Sequence, residues 1–322
     1  QHFDGRDPQG RHLAVRSGGG DCPRDPADRA AVFDGGSVLD AGKALSALAT
    51  NPGSVRDYLE GVGRGFTVDT APLPYVAVAT TSGTGAEMTK NAVISDSEQG
   101  FKKSMRDTRM VPTAAIIDPE LVCTVPRAVT AASGMDAITQ LIEPCISTKR
   151  QPGPRKLAGM ALRGTREALA ACYRSGTDIQ ARTIMAQASG ISGICLANSG
   201  LALAHGIASG LGGLHPVAHG LICGILLPHT LRMNRDACVA ELEEALRNFL
   251  FEEEVTTTTI DRGINAIEAL KNETDMPDTL AFLQLSDKQI REVAEASMGS
   301  SMTGNPVPMT PESTYAFLKP LC

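Results

Sequence analysis

The hydrophobic period of this chain changes once, near residue 124, and that change limits the folds open to it. Before that point, short apolar runs end in glycine-rich turns. Ala30-Ala31-Val32-Phe33 runs into Asp34-Gly35-Gly36-Ser37, and Val38 to Leu45 then takes up helical spacing. Pro74 to Thr80 is a second run and leads into Thr81-Ser82-Gly83-Thr84-Gly85. Asn91 to Ile94 and Ala114 to Asp118 are further strand-like runs, the last stopped by Asp118-Pro119. A short helix is expected around Val55 to Glu60. Short apolar runs bounded by glycine and alternating with helical spacing predict an α/β architecture. Beyond residue 124, apolar residues recur at 3.6-type spacing over 130–146, 154–173, 178–199, 202–211, 220–233, 239–250, 259–270, 287–296 and 311–318. The expected organisation is therefore a polar, atypical leader over 1–28, an α/β domain over 29–123 and an all-helical domain over 124–322.

Composition narrows the function classes. Hydrophobic residues make up 42% and charged ones 20% of 322 residues, which suits a globular protein with ample core. The formal charge is -6 with no basic patch, which argues against nucleic acid or an anionic membrane as partner. No run approaches the roughly 18 apolar residues that a membrane-spanning helix needs. His2, Asp4, Arg6 and Asp7 interrupt any secretory signal at the start. The eight cysteines form no Cys-x-x-Cys pair and mostly sit in apolar segments, so they are expected to be reduced core thiols of a cytoplasmic protein.

Two kinds of motif carry chemistry. Gly35-Gly36-Ser37 follows a strand and opens a helix, where unobstructed backbone N–H groups bind phosphate; a tight βα turn needs the same glycines. Ser37 with Asp40 three residues on has the form of a capping box. Thr81-Ser82-Gly83-Thr84-Gly85 repeats the strand-to-glycine arrangement, and two such turns at one sheet edge fit a dinucleotide lying across it, or else are unrelated loops. In the helical half, Asp136 and Gln140 share a helix face. His205 lies in Leu203-Ala204-His205-Gly206 and His219 in Ala218-His219-Gly220. One carboxylate and two imidazoles make a three-point site for a divalent cation, with a position open to substrate. His215 and His229 read as packed or exposed histidines outside it.

In that order and spacing, the motifs resemble those of the iron-containing (group III) alcohol dehydrogenases, from about Val32 to the C-terminus. The match includes Gly35 to Lys43, Pro74 to Glu87, Lys102-Lys103, Ile116 to Leu121, Thr130 to Ser147, Gly200 to Pro228 and Ser300 to Pro306. The resemblance implies a nucleotide-binding α/β domain followed by an all-α domain, the dehydroquinate synthase-like fold, with the active site in the cleft between them. It implies Fe²⁺ or Zn²⁺, NAD or NADP, a small alcohol or aldehyde substrate, and a homodimer. Carried over by motif, Asp136, His205 and His219 are the catalytic metal ligands. Gly35, Gly36 and Ser37 fall on the pyrophosphate loop, Asp40 is expected to bind the cofactor with them, and Thr80, Thr81 and Thr84 fall on the second cofactor turn. Gln140 stands where many members have a ligand histidine, and it joins the expected metal set as a weaker oxygen donor. Ser209 stands where many members have a further histidine near the substrate. Asp34 replaces the turn's first glycine, and the leader does not resemble the family's first βαβ elements, so the N-terminal domain is expected to be incomplete. Lys102 or Lys103 falls near the nicotinamide end or on a charged surface strand. Alternatives with the same fold are a metal-free reductase of the maleylacetate reductase type, a dehydroquinate synthase-like lyase, and a truncated homologue without activity.

Overall fold

The computed structural model describes residues 30–96 and 101–322, so the leader expected over 1–28 lies outside the described residues. The first part is α/β. Strands β1 (Ala30–Asp34), β2 (Tyr75–Ala79) and β5 (Ala114–Ile116) form a parallel sheet in the order β1-β2-β5. Asp34 pairs with Ala79, so β1 and β2 end level and both glycine turns leave the sheet at one edge. Helix α1 (Gly36–Leu48) follows β1 at once. The run Asn91 to Ile94 is β3 (Asn91–Asp96), which pairs antiparallel with β4 (Phe101–Arg106). Lys102 and Lys103 therefore sit on a charged hairpin strand. A 3-10 turn spans Val55–Tyr58.

The remainder is helical: α2 (Arg127–Ile146), α3 (Pro152–Leu162), α4 (Thr165–Arg174), α5 (Ile179–Ser199), α6 (Leu203–Leu214), α7 (His219–Asn234), α8 (Val239–Phe249), α9 (Thr259–Glu273), α10 (Asp287–Ala296) and α11 (Pro311–Leu318). Every residue of α2 from Gly134 to Ile146 is buried, which marks it as the central helix. One core packs Ile138, Leu141, Leu169, Leu246 and Phe249 around it. A second joins α6, α7, α10 and α11 through Leu203, Ile207, Ile225, Ile290 and Leu318. Among the described residues no single helix is long and apolar enough to cross a membrane.

Two expectations need correction. The capping box at Ser37 does not form. Gly35 is the N-cap of α1, no side chain caps it, and Ser37 is exposed inside the first turn. A Cβ on Gly36 would lie only 2.5 Å from Oγ1 of Thr84, so the bare glycine packs against the second turn. Asp40 instead points inward, 2.8 Å from Nζ of Lys43, and accepts a hydrogen bond from the Val93 amide. The expected helix over 154–173 is two helices. Its apolar period continues through Arg163 and Gly164, but Gly164 has φ 81°, a left-handed conformation that breaks the helix.

Candidate metal centre and nucleotide turns

Three helices deliver the candidate metal-binding side chains. Asp136 lies mid-way along the buried α2. His205 lies in the first turn of α6, just after the chain bends by 98° between α5 and α6. His219 is the first residue of α7. A Cβ on Gly220 would lie 2.9 Å from Cβ of Asp136, and one on Gly224 2.8 Å from Cβ of Met135. These glycines let α7 lie directly against α2, which sets His219 facing Asp136.

The side chains of Asp136, His205 and His219 converge. Oδ1 of Asp136 lies 3.3 Å from Nε2 of His205 and 4.0 Å from Nε2 of His219. The imidazole centroids are 5.4 Å apart. One ligand atom from each of Asp136, His205, His219 and Cys223 falls within 4.8 Å of all the others. Asp136 is 2% exposed and His205 3%, whereas the His219 side chain is 27% exposed and marks the accessible side.

Two members of this arrangement escaped the sequence reading. Cys223 lies one turn after His219 on α7, and the i, i+4 spacing was the available signal. Glu143 lies two turns after Asp136 on α2, on the same face. Its carboxylate accepts from Nδ1 of His205 at 2.7 Å and from the amides of Ala202 and Ala204 at 2.9 and 2.7 Å. One buried carboxylate thus closes the N-terminus of α6 and orients the first imidazole on that helix. Nδ1 is left as donor to Glu143, and Nε2 faces Asp136.

Burial and charge act differently on the two rings. Burial lowers the pKa of His219 to about 3, so that ring is neutral. Burial works against charge on His205 too, but the sulfur of Cys223 and the carboxylates of Glu143 and Asp136 outweigh it and hold its pKa well above the ordinary value. Burial pushes Asp136 upward, and the His205 ring 3.3 Å away brings it below the usual carboxylate value. Two of the converging atoms, Oδ1 of Asp136 and Nε2 of His205, are buried with no hydrogen-bond partner. Buried polar atoms are rarely left so. Orphaned donors of oxygen and imidazole type, with sulfur beside them, fit a divalent transition metal.

Next to this cluster the two glycine turns meet. A Cβ on Gly35 would lie 3.2 Å from Oγ1 of Thr81, the counterpart of the Gly36–Thr84 contact. Thr80, Thr81 and Thr84 are half-buried along the same edge, and Ser37 is exposed. Asp40 lies behind the turn. Gln140 does not spend its amide on the metal donors. Its Nε2 donates to the carbonyl of Thr84 at 2.7 Å and to Oγ of Ser192 at 2.9 Å, tying the helix of Asp136 to the second turn. His215 and His229 are half-buried outside the cluster, and Ser209 is exposed one turn past His205.

Residues 130–321 match the profile of the Fe-containing alcohol dehydrogenase family, C-terminal, and residues 23–119 match that of iron-containing alcohol dehydrogenase. The chain belongs to the iron-containing alcohol dehydrogenase family. It is 34% identical over 288 residues to alcohol dehydrogenase 4 of Saccharomyces cerevisiae, covering 88% of this chain and 73% of the relative. It is 33% identical over 278 residues to the NAD-dependent methanol dehydrogenase of Bacillus methanolicus, covering 84% and 71%. The crystal structure of a 1,3-propanediol oxidoreductase superposes with a TM-score of 0.84 at 31% identity, over 92% of this chain and 77% of that one. This iron-containing dehydrogenase fold brings together Asp136, His205 and His219, which lie far apart in its sequence.

Proposed function

We propose that this chain is a metal-dependent, NAD(P)-linked alcohol dehydrogenase and aldehyde reductase acting on small alcohols and carbonyls. The observation that carries the reading is the convergence of one ligand atom from each of Asp136, His205 and His219, of which Oδ1 of Asp136 and Nε2 of His205 are buried and unpartnered. Those residues would hold Fe²⁺ or Zn²⁺, with the side-chain oxygen of Gln140 as a further donor. When bound, such an ion supplies Lewis acidity toward a substrate hydroxyl or carbonyl, and a nicotinamide cofactor supplies or takes the hydride.

The chain's own groups do the rest. Glu143 holds the His205 ring in one tautomer. The packed faces of α2 and α6 exclude water behind the donors, and the partly exposed His219 edge admits substrate. Gly35, Gly36 and Ser37 present backbone N–H groups at the start of α1 to a pyrophosphate, facing Thr80, Thr81 and Thr84. Asp40 and the buried Lys43 brace that turn from behind, through Val93, Ala86 and Thr89. Ser209 cannot relay a proton as an imidazole does, so water carries it from the open side.

A homodimer in the cytoplasm completes the reading. Ile116 on the edge strand β5 and nearby Val111 are 48% and 49% exposed, an apolar margin that suits a second copy. Light scattering of the purified protein tests it. The main test is metal analysis of the purified protein beside NADH and NADPH oxidation with short aldehydes. Turnover is expected to follow bound metal and to vanish on dialysis against dipicolinate. Full turnover by metal-stripped protein would overturn the reading in favour of a metal-free reductase.

A further inference from the structure

Cys223 has no part in the reaction just described, yet it is fully buried among the metal donors. Its position differs from that of the other core thiols. Cys145, Cys195 and Cys238 each donate to a main-chain carbonyl within the helical core. The Cys223 sulfur instead lies within 4.8 Å of a ligand atom of each of Asp136, His205 and His219. Helix geometry puts it there. Cys223 follows His219 by one turn, so the two project from one face of α7, and Gly220 and Gly224 bring that face against α2. Gln140 supplies the complementary fact. Its amide nitrogen is engaged with Thr84 and Ser192, leaving only a weak amide oxygen for a metal.

We propose that Cys223 is a protein ligand of the metal, as the thiolate, and that its sulfur makes this centre select Zn²⁺ over Fe²⁺. The inference rests on the metal site of the preceding section and adds a fourth strong donor to it. A carboxylate and two imidazoles accept either ion, and a thiolate shifts the donor set toward the softer partner. On metal entry the thiol proton leaves to solvent, with no redox change.

The test uses the full chain, stripped with chelator and reloaded. X-ray absorption of the Zn²⁺-loaded wild type is expected to show one sulfur scatterer at about 2.3 Å. The Co²⁺-loaded protein should show a near-ultraviolet thiolate-to-cobalt charge-transfer band, lost in Cys223→Ser and kept in Cys195→Ala. Under anaerobic competition the preference of the wild type for zinc over iron should exceed that of Cys223→Ser, and an equal preference would overturn the selectivity. Cys223→Ser should bind zinc more weakly by at least the roughly 10–100-fold that outer-shell changes cost. A zinc shell of nitrogen and oxygen scatterers alone would overturn the proposal while leaving the Asp136, His205 and His219 site standing. Failure of the wild type to bind any divalent ion would overturn both. The wild-type spectrum decides the matter even if Cys223→Ser does not fold.

Discussion

At the sheet edge the chain presents glycines, half-buried threonines and main-chain amides. On helices α2, α6 and α7 it presents side-chain donors, of which Asp136 and His205 are almost wholly buried and His219 is half-buried. The first surface is made by leaving atoms out: Gly35 and Gly36 have no Cβ, and Thr81 and Thr84 fill that space. The second is made by putting atoms in, with a supporting carboxylate, Glu143, behind His205. A dinucleotide is long and needs an accessible edge, whereas a cation is small and needs fixed, desolvated ligands. Gln140 is the side chain that touches both regions, since it grows from the Asp136 helix and holds the Thr84 carbonyl.

Substitutions can pull the two regions apart. The largest effect is expected from His219→Ala, which should abolish stoichiometric metal and turnover while NADH still binds, read by fluorescence titration. Loss of NADH binding as well would show that the regions are not separable. Glu143→Gln should weaken metal affinity by about 10–100-fold and leave NADH affinity alone, measured by competition with a chromophoric chelator. Unchanged metal affinity would remove Glu143 from the support of His205. Gly36→Ala reverses the pattern. Its new Cβ meets Thr84, so it should cost about 1–3 kcal/mol of stability in urea and weaken NADH binding, with metal stoichiometry intact. Ser37→Ala should be smallest, within about 0.5 kcal/mol, because Ser37 caps nothing. A loss of a full cap's worth, about 1 kcal/mol, would contradict the geometry of the α1 start.

The two regions also differed in how far the sequence exposed them. Strand, glycine turn and helix are contiguous, so β1, α1, β2 and the paired turns could be placed from local pattern alone. The capping box misled because Ser37 and Asp40 have the right types at the right spacing, while α1 begins earlier, with Gly35 as its N-cap, and Asp40 turns inward to Lys43. Asp136, His205 and His219 were legible through residue type and the family's motif order. Cys223 and Glu143 were not, because a cysteine and a glutamate on apolar helices look like packing until three helices are brought together. The break at Gly164 was hidden by an apolar period that runs straight through it, and only the backbone angle reveals it.

Glu143 serves two dependents at once, the opening turn of α6 and the ring of His205. A residue so placed has no partial replacement. Any change that frees the ring also frays the helix that carries it, so the chemistry and the architecture at this point can drift only together. Amide exchange at residues 202 to 205 would then report, from the main chain alone, whether the neighbouring centre is filled.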